Sequence, residues 1–483
     1  LSQTSLAGLN ATQVATFSTT QVQAFSGAAL SALDAAQTAA LTTTQVAALT
    51  NTQIGGLNAT DIGELAATQA AAFTATQIGG LTNAAAAALD ADQMAALNAT
   101  QIKAFTATQI TSFSATDVAE LSAAQIAQLS TTQVEALRAT NITELNETQV
   151  AAFTATQVKS LSATNLAAFA DSQIAALTAG QIGALSTQQV NALTATNIAA
   201  LTETQAAALT TTQIAGLSAT AASAFGATHI AAMSVNQVRA FSATQLSALS
   251  TSDMAEFTET QVAGLLTTQI QALSNTNLAA LAETQIAALS ATQVQSISTG
   301  GVAALTETQV GALTTTQIAA MSTSQGRAFT NADLSALAAD QVAAMTNAQV
   351  AALTVGQLNS LGATDYAEFS AGQVAALTAT QVAGLNATNV GDLSETQIGA
   401  MTTTQVAAFS AANTHALVET QVAALSANQV AAMTTTQIAG LDATDIGELA
   451  ATHIAAMTTS QIQTLSATNL AAFADTQVAA LTA

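Results

Sequence analysis

A large apolar residue returns at every eighth position of this chain, and no other feature narrows the possible folds so far. The stretch Leu41–Leu65 reads LTTTQVAALTNTQIGGLNATDIGEL, with the period marked by Leu41, Leu49, Leu57 and Leu65. The same frame runs forward through Phe73, Leu81, Leu89, Leu97, Phe105 and Phe113 to Met457, Leu465, Phe473 and Leu481, and back to Leu1. Roughly sixty octads follow one another without an insertion, the signature of a repeat architecture. A continuous helix does not suit this period: eight residues over two turns need about 4.0 residues per turn against the natural 3.6, so the leucine seam would drift around the helix.

A short helix in each octad fits. In Thr50-Asn51-Thr52-Gln53 the Thr50 hydroxyl can accept the backbone N–H of Gln53, while the Gln53 side chain reaches back to the N–H of Thr50, which is a capping box. Leu49 and Ile54 stand at the two positions of a hydrophobic staple, and Leu57 follows Ile54 on the same helical face. The second octad position is filled mainly by N-cap residues, among them Ser18, Asp34, Asn58, Asp90, Asn98, Thr106, Asn146, Gly226 and Ser290; Ala66, Arg138, Leu266 and Val418 depart from the rule. Glutamate recurs just after the cap, at Glu147, Glu203, Glu259, Glu283, Glu307, Glu395 and Glu419, where it meets the positive end of the helix dipole. Helices of under two turns are not stable alone, so the octads must stack. The expected fold is an all-α solenoid of eight-residue repeats, with Leu/Phe and Val/Ile inside and Thr, Ser and the variable positions outside. Adjacent coils are expected about 24 to 32 residues apart.

No composition shift or charge block divides the 483 residues, so residues 1–483 read as a single uninterrupted octapeptide-repeat solenoid. Both ends are ordinary octads without the polar caps that solenoids usually carry. The expected partners are therefore flanking repeats of a longer chain, or other copies joined head to tail. Near-copies such as SATNLAAFAD at Ser162 and Ser466 lie a multiple of eight apart, as block duplication in register produces.

The net charge of −23 comes from 28 acids against five bases, Lys103, Arg138, Lys159, Arg239 and Arg327. Nucleic acids and anionic membrane surfaces need clustered positive charge, so both are excluded as partners. The chain has no cysteine, which removes disulfides, cysteine zinc sites and thiol catalysis together. No apolar run approaches a membrane span.

Few residues could carry chemistry. His229 and His453 fall on the glutamine position and His415 two residues beyond it; none has a second histidine nearby, so each reads as a polar substitute in a repeat slot. Paired carboxylates recur as Asp61 with Glu64, Asp117 with Glu120, Asp253 with Glu256, Asp365 with Glu368, and Asp445 with Glu448. Such pairs could bind calcium or serve as acid and base. The intervals from one of these aspartates to the next are all much longer than a coil; only Glu120 and Glu144, three octads apart, could stack. No nucleophile, base and orienting group converge in sequence, so no catalytic, metal or cofactor-binding residues are assigned, no cofactor is expected, and an enzyme is the least favoured class.

The Thr-x-Thr pattern, as at Thr42 and Thr44, resembles the threonine arrays of ice-binding β-solenoids, which is the alternative fold. Ala-Ala before each Leu is poor strand material, and the Gly, Asn and Pro corners of such coils are missing. The octads of Leu41–Leu65 resemble the octapeptide tracts of very large secreted or surface-attached bacterial proteins, including adhesin-like ones. The short capped helices also resemble those of leucine-rich-variant α-solenoids. The first resemblance implies an extracellular or cell-surface spacer, stalk or fibre-forming segment. The alternative is a surface-binding module that presents repeated Thr, Ser and Gln side chains to ice, glycan or another solid.

Overall fold

A computed structural model describes residues 3–481; Leu1, which opens the octad frame, lies outside them. The structure is an α-solenoid, 67% helix and without strands among the described residues. The sixty helices among those residues are four to six residues long, one to an octad, from Gln3–Ala7 to Asp475–Ala480. The expected all-α repeat fold is therefore the one adopted. The chain forms two compact units, Leu1–Leu249 and Ser250–Ala483, and the same local arrangement repeats within each.

The junction between helices carries the fold. Thr50 caps the helix Asn51–Ile54: the Gln53 N–H donates to its Oγ1 at 3.3 Å, and its own N–H donates to Gln53 Oε1 at 2.8 Å. The preceding Leu49 is extended, with ψ 139°, and Thr50 has ψ 157°, so two extended residues in succession turn the chain between one helix and the next. No described residue has positive φ. These helices thus end without the left-handed glycine cap that closes many helices; the leucine N–H instead bonds three residues back, Leu49 to the Val46 carbonyl at 3.2 Å. That turn carries Leu49 into a core where Val46 and Ile54 are fully buried.

At Ala66, Ala170, Ala282, Ala338 and Ala474 the cap has no side-chain acceptor, yet the glutamine still takes the N-cap N–H, so half of the box survives. Two expected results follow. Thr50→Ala should destabilise its helix by about 1 kcal/mol, and Ala66→Thr should stabilise the helix Ala67–Ala70 by a similar amount, both read by local amide exchange. Far-ultraviolet circular dichroism should give the double minimum of helix; a single β minimum would contradict the fold.

Helices three apart in the chain pack on one another, as Ala155–Ser160 does on Ala179–Ala184 and that helix on Glu203–Ala208. Close approaches at other separations show that a turn is not a whole number of octads. Gly56 meets Gly27, between three and four octads earlier, so tightly that a Cβ on Gly56 would lie 3.0 Å from the Gly27 Cα. Glycine is needed there for contact, not for an unusual φ.

Candidate functional site

The polar side chain common to most octads, the glutamine at the fifth position, is buried. Gln53 is 2% exposed. Its Oε1 accepts the cap N–H, while its Nε2 donates to the carbonyls of Phe25 at 2.8 Å and Val22 at 2.7 Å, 28 and 31 residues earlier. Gln77, Gln109, Gln133, Gln157 and Gln213 repeat the pattern. One amide thus closes its own helix and ties it to the turn below. A buried amide with both ends bonded strengthens the stack, whereas an unpaired one would weaken it. The capping half of this role follows from sequence spacing; the cross-turn half does not.

His229 serves as a glutamine in this slot. Its Nδ1 accepts the Gly226 N–H at 3.1 Å and its Nε2 lies 2.6 Å from the Leu201 carbonyl, 28 residues earlier, which suits the tautomer protonated at Nε2. The Nδ1 of His453 likewise accepts the Ala450 N–H at 3.1 Å. Both are repeat-slot substitutes, as their positions suggested.

His415 is placed differently. It lies on the exposed surface with its Nδ1 3.7 Å from Asp445 Oδ2, and Asp442 completes a group whose potential ligand atoms lie within 4.8 Å of one another. No companion stands near His415 in sequence, because the partners sit one superhelical turn further on. The two carboxylates are already engaged: Asp442 Oδ1 accepts the Thr444 and Asp445 N–H groups, and Asp445 Oδ2 accepts that of Asp442. Their first role is to cap the helix Ala443–Glu448.

In the other carboxylate pairs the aspartate also accepts the N-cap N–H; Asp61 with Asn58 and Asp117 with Ser114 close full capping boxes, whereas Asp365 opposite Gly362 makes only that half. The glutamate three residues on folds over the turn. One carboxylate oxygen of Glu64, Glu368 and Glu448 is buried without a hydrogen-bond partner. Loss of solvation raises the carboxyls of Glu120, Glu368 and Glu448 above the ordinary glutamate range, and nearby acids raise them further: Asp117 and Asp90 for Glu120, Asp365 for Glu368, Glu419, Asp445 and Asp442 for Glu448. The same loss of solvation raises Asp445, while the Asp445 N–H holds Asp442 below its ordinary value.

A glutamic acid raised in the folded state binds more protons there than in the unfolded chain. Its contribution therefore favours folding at low pH and is lost as pH rises from the unfolded value, near 4.5, through the folded one. Lowering the pH from 7 to about 5 is expected to raise the protection factors of the helices Ala363–Glu368 and Ala443–Glu448, once the general slowing of amide exchange in acid is divided out, and Glu368→Gln and Glu448→Gln should weaken that dependence. Protection factors that fall on acidification would contradict the assignment.

The single tyrosine is structural. Tyr366 is fully buried, its hydroxyl donates to the Leu358 carbonyl at 3.0 Å, and burial pushes its phenol up to about 12.

Open grooves of one composition occur in both units, one in the first and two in the second. In the first, Thr202, Glu203 and Thr204 face Thr228. In the second, Thr258, Glu259 and Thr260 face Thr284, and Thr306, Glu307 and Thr308 face Thr330. Each offers hydroxyls and at least one carboxylate, with Asp333 a second in the last, a set suited to hydrogen bonding. No helix among the described residues is long and apolar enough to cross a membrane. Neither a curated protein nor a solved structure matches the chain. Residues 167–203 match the model of the ALTTAQ repeat family. Read as residues, that name spans the junction, as in Ala176-Leu177-Thr178-Ala179-Gly180-Gln181: the end of one helix, the buried leucine, the cap and the buried amide.

Proposed function

We propose that this structural repeat protein serves as an extracellular spacer, stalk or fibre-forming segment of a bacterial surface protein, without enzymatic activity or a cofactor. The observation that carries this reading is the buried amide ladder: the polar group found in most octads is consumed in joining turn to turn. A chain so built gains length with each octad added and needs no special residue to do so. The likeness to octapeptide tracts of secreted and adhesin-like proteins supports the location. Antibody labelling of intact against permeabilised producing cells tests it; signal only after permeabilisation would overturn the extracellular placement.

Each turn presents donors on one side and carbonyls on the other, so copies are expected to join head to tail, a contact that propagates when it does not close into a ring. Electron microscopy and sedimentation should show rods that lengthen with concentration; monomers at all concentrations would exclude this assembly. The repeated Thr-Glu-Thr grooves favour a second reading, a module that binds a hydroxyl-rich surface such as a glycan. Retention on glycan or ice surfaces that is lost on changing Thr258, Thr260 and Thr284 to alanine would decide for it.

A further inference from the structure

The glutamine position is not uniform, and its exceptions are periodic. Apart from His229 and His453, every octad that lacks glutamine there carries a short residue: eighteen of them, from Ser5, Ala29, Asp61 and Ala85 through Asn165, Ala221 and Gly301 to Asp445 and Asn469. Successive members are separated by three or four octads and by no other interval. That is the turn of the solenoid, since cross-turn bonds span 28 and 31 residues. Within each unit the exceptions therefore stack. Asn165 donates to Leu137 at 2.7 Å and Asn413 to Leu385 at 3.0 Å, carbonyls that belong to the short-residue octads one turn below. Ser335 touches Asp365 at 3.4 Å, and Asn58 donates to Ser31 at 2.8 Å, across the four-octad steps.

This column lacks most of what ties the other sides together. Asparagine keeps a donor but gives up the capping box at Asn165, Asn389, Asn413 and Asn469. Ionised aspartate keeps the box and has no donor to offer the turn below. Alanine and glycine, as at Ala85, Ala221 and Gly301, have neither. A core cavity of about 20 Å³, room for about one water molecule, has Asp61 in its wall together with Leu30, Leu33 and Thr38.

The same side collects the charge. All but one of the 28 acids, Glu135 being the exception, lie in a short-residue octad or in the octad that follows it. Acids at the eighth position, Glu64, Glu120, Glu144, Glu256, Glu368, Asp392 and Glu448, occur only in short-residue octads. Four of the five bases, Lys103, Lys159, Arg239 and Arg327, are exposed at the seventh position of octads on the remaining side. The acids and bases that look scattered along the chain are thus sorted by the superhelix.

We infer that in each unit this column is a seam along which the turns part: the other sides are stitched by glutamine amides, while the seam has cross-turn donors mainly at its asparagines, fewer than the other sides, and is pushed open by carboxylates stacked turn upon turn. Each unit opens on one side only, and ionic strength sets how far. The inference rests on the hydrogen-bond pattern and not on the proposed extracellular role, so it stands or falls independently of that role.

Hydrogen–deuterium exchange on the full chain, read by mass spectrometry, tests it. Seam helices such as Asn83–Ala86, Ala219–Ala222 and Thr299–Val302 should exchange about thirtyfold faster than Ala75–Gly80, Thr211–Gly216 and Ala291–Ser296, the factor expected for two missing cross-turn bonds, those donated by Gln77, Gln213 and Gln293. Raising the salt from about 10 mM to about 0.5 M, which contracts the reach of charge to within one turn, should slow the acidic seam helices Ala59–Gly63 and Ala443–Glu448 and leave the alanine ones unchanged. Ala85→Gln and Ala221→Gln should bring their helices to the slower rate. Gln189→Ala, on another side, should create a fast helix where none exists. Equal exchange on all sides, acidic seam helices indifferent to salt, or Gln189→Ala without effect on its helix would each overturn the seam.

Discussion

Gln213→Ala is expected to destabilise the turn around it by about 2–4 kcal/mol, more than its position on a polar repeat slot would suggest. The side chain is 2% exposed and makes three bonds, accepting the Thr210 N–H at 2.7 Å and donating to the carbonyls of Ile182 at 2.9 Å and Leu185 at 2.8 Å. Removing it takes the side-chain donor from the Leu185 carbonyl and the acceptor from the Thr210 N–H, while Ile182 keeps the Leu185 N–H, and an unsatisfied buried group costs about 1–3 kcal/mol, more than the bond itself contributes. Gln213→Glu should be as damaging at neutral pH, because a carboxylate keeps the acceptor and loses the donor. Gln213→His should be the mildest change, since His229 already fills the same slot with both contacts. Amide exchange of the helix Thr211–Gly216 reads the order, and an alanine variant as stable as the parent would refute the ladder.

The larger effect is expected in the core. Leu209 is 2% exposed and Leu289 4%. Leu209→Asp buries a carboxylate without a partner and removes a filled core position, a loss of about 4 kcal/mol or more. Thr211→Asp, two residues away, changes an exposed residue in the first turn of its helix. There an acid faces the positive end of the dipole, so the change should stay within about 0.5 kcal/mol. In a solenoid, stability is approximately a sum of nearest-neighbour terms. The Leu209 defect should therefore appear as cleavage near residue 209, with distant turns keeping their protection. Equal effects from both substitutions would show the inward and outward faces to be wrongly assigned.

The two experiments probe parts of the molecule that differ in how they are encoded. Everything within about four residues is legible from the sequence. Ser, Thr or Asn at the second position, glutamine at the fifth and Leu with Val or Ile around them imply a cap, a staple and a helix of under two turns. Sixty helices of that kind are what the described residues form. Their formation needs only neighbours whose separation is set by backbone geometry.

What the glutamine amide touches, and which side chains meet across a turn, was decided by the tertiary structure. The angle between one short helix and the next accumulates over three to four octads before two turns come into contact. A small change in that angle moves a partner by a whole octad, which no local rule resolves. His415 meets Asp445, Gln53 meets Phe25 and Gly56 meets Gly27 at three different separations, each between three and four octads. One trace of the turn is nevertheless written in the chain, in the three- and four-octad intervals between the short residues from Ser5 to Asn469. Local chemistry determined the helices, and the accumulated rotation between them determined which of their polar groups became the stitching and which became the seam.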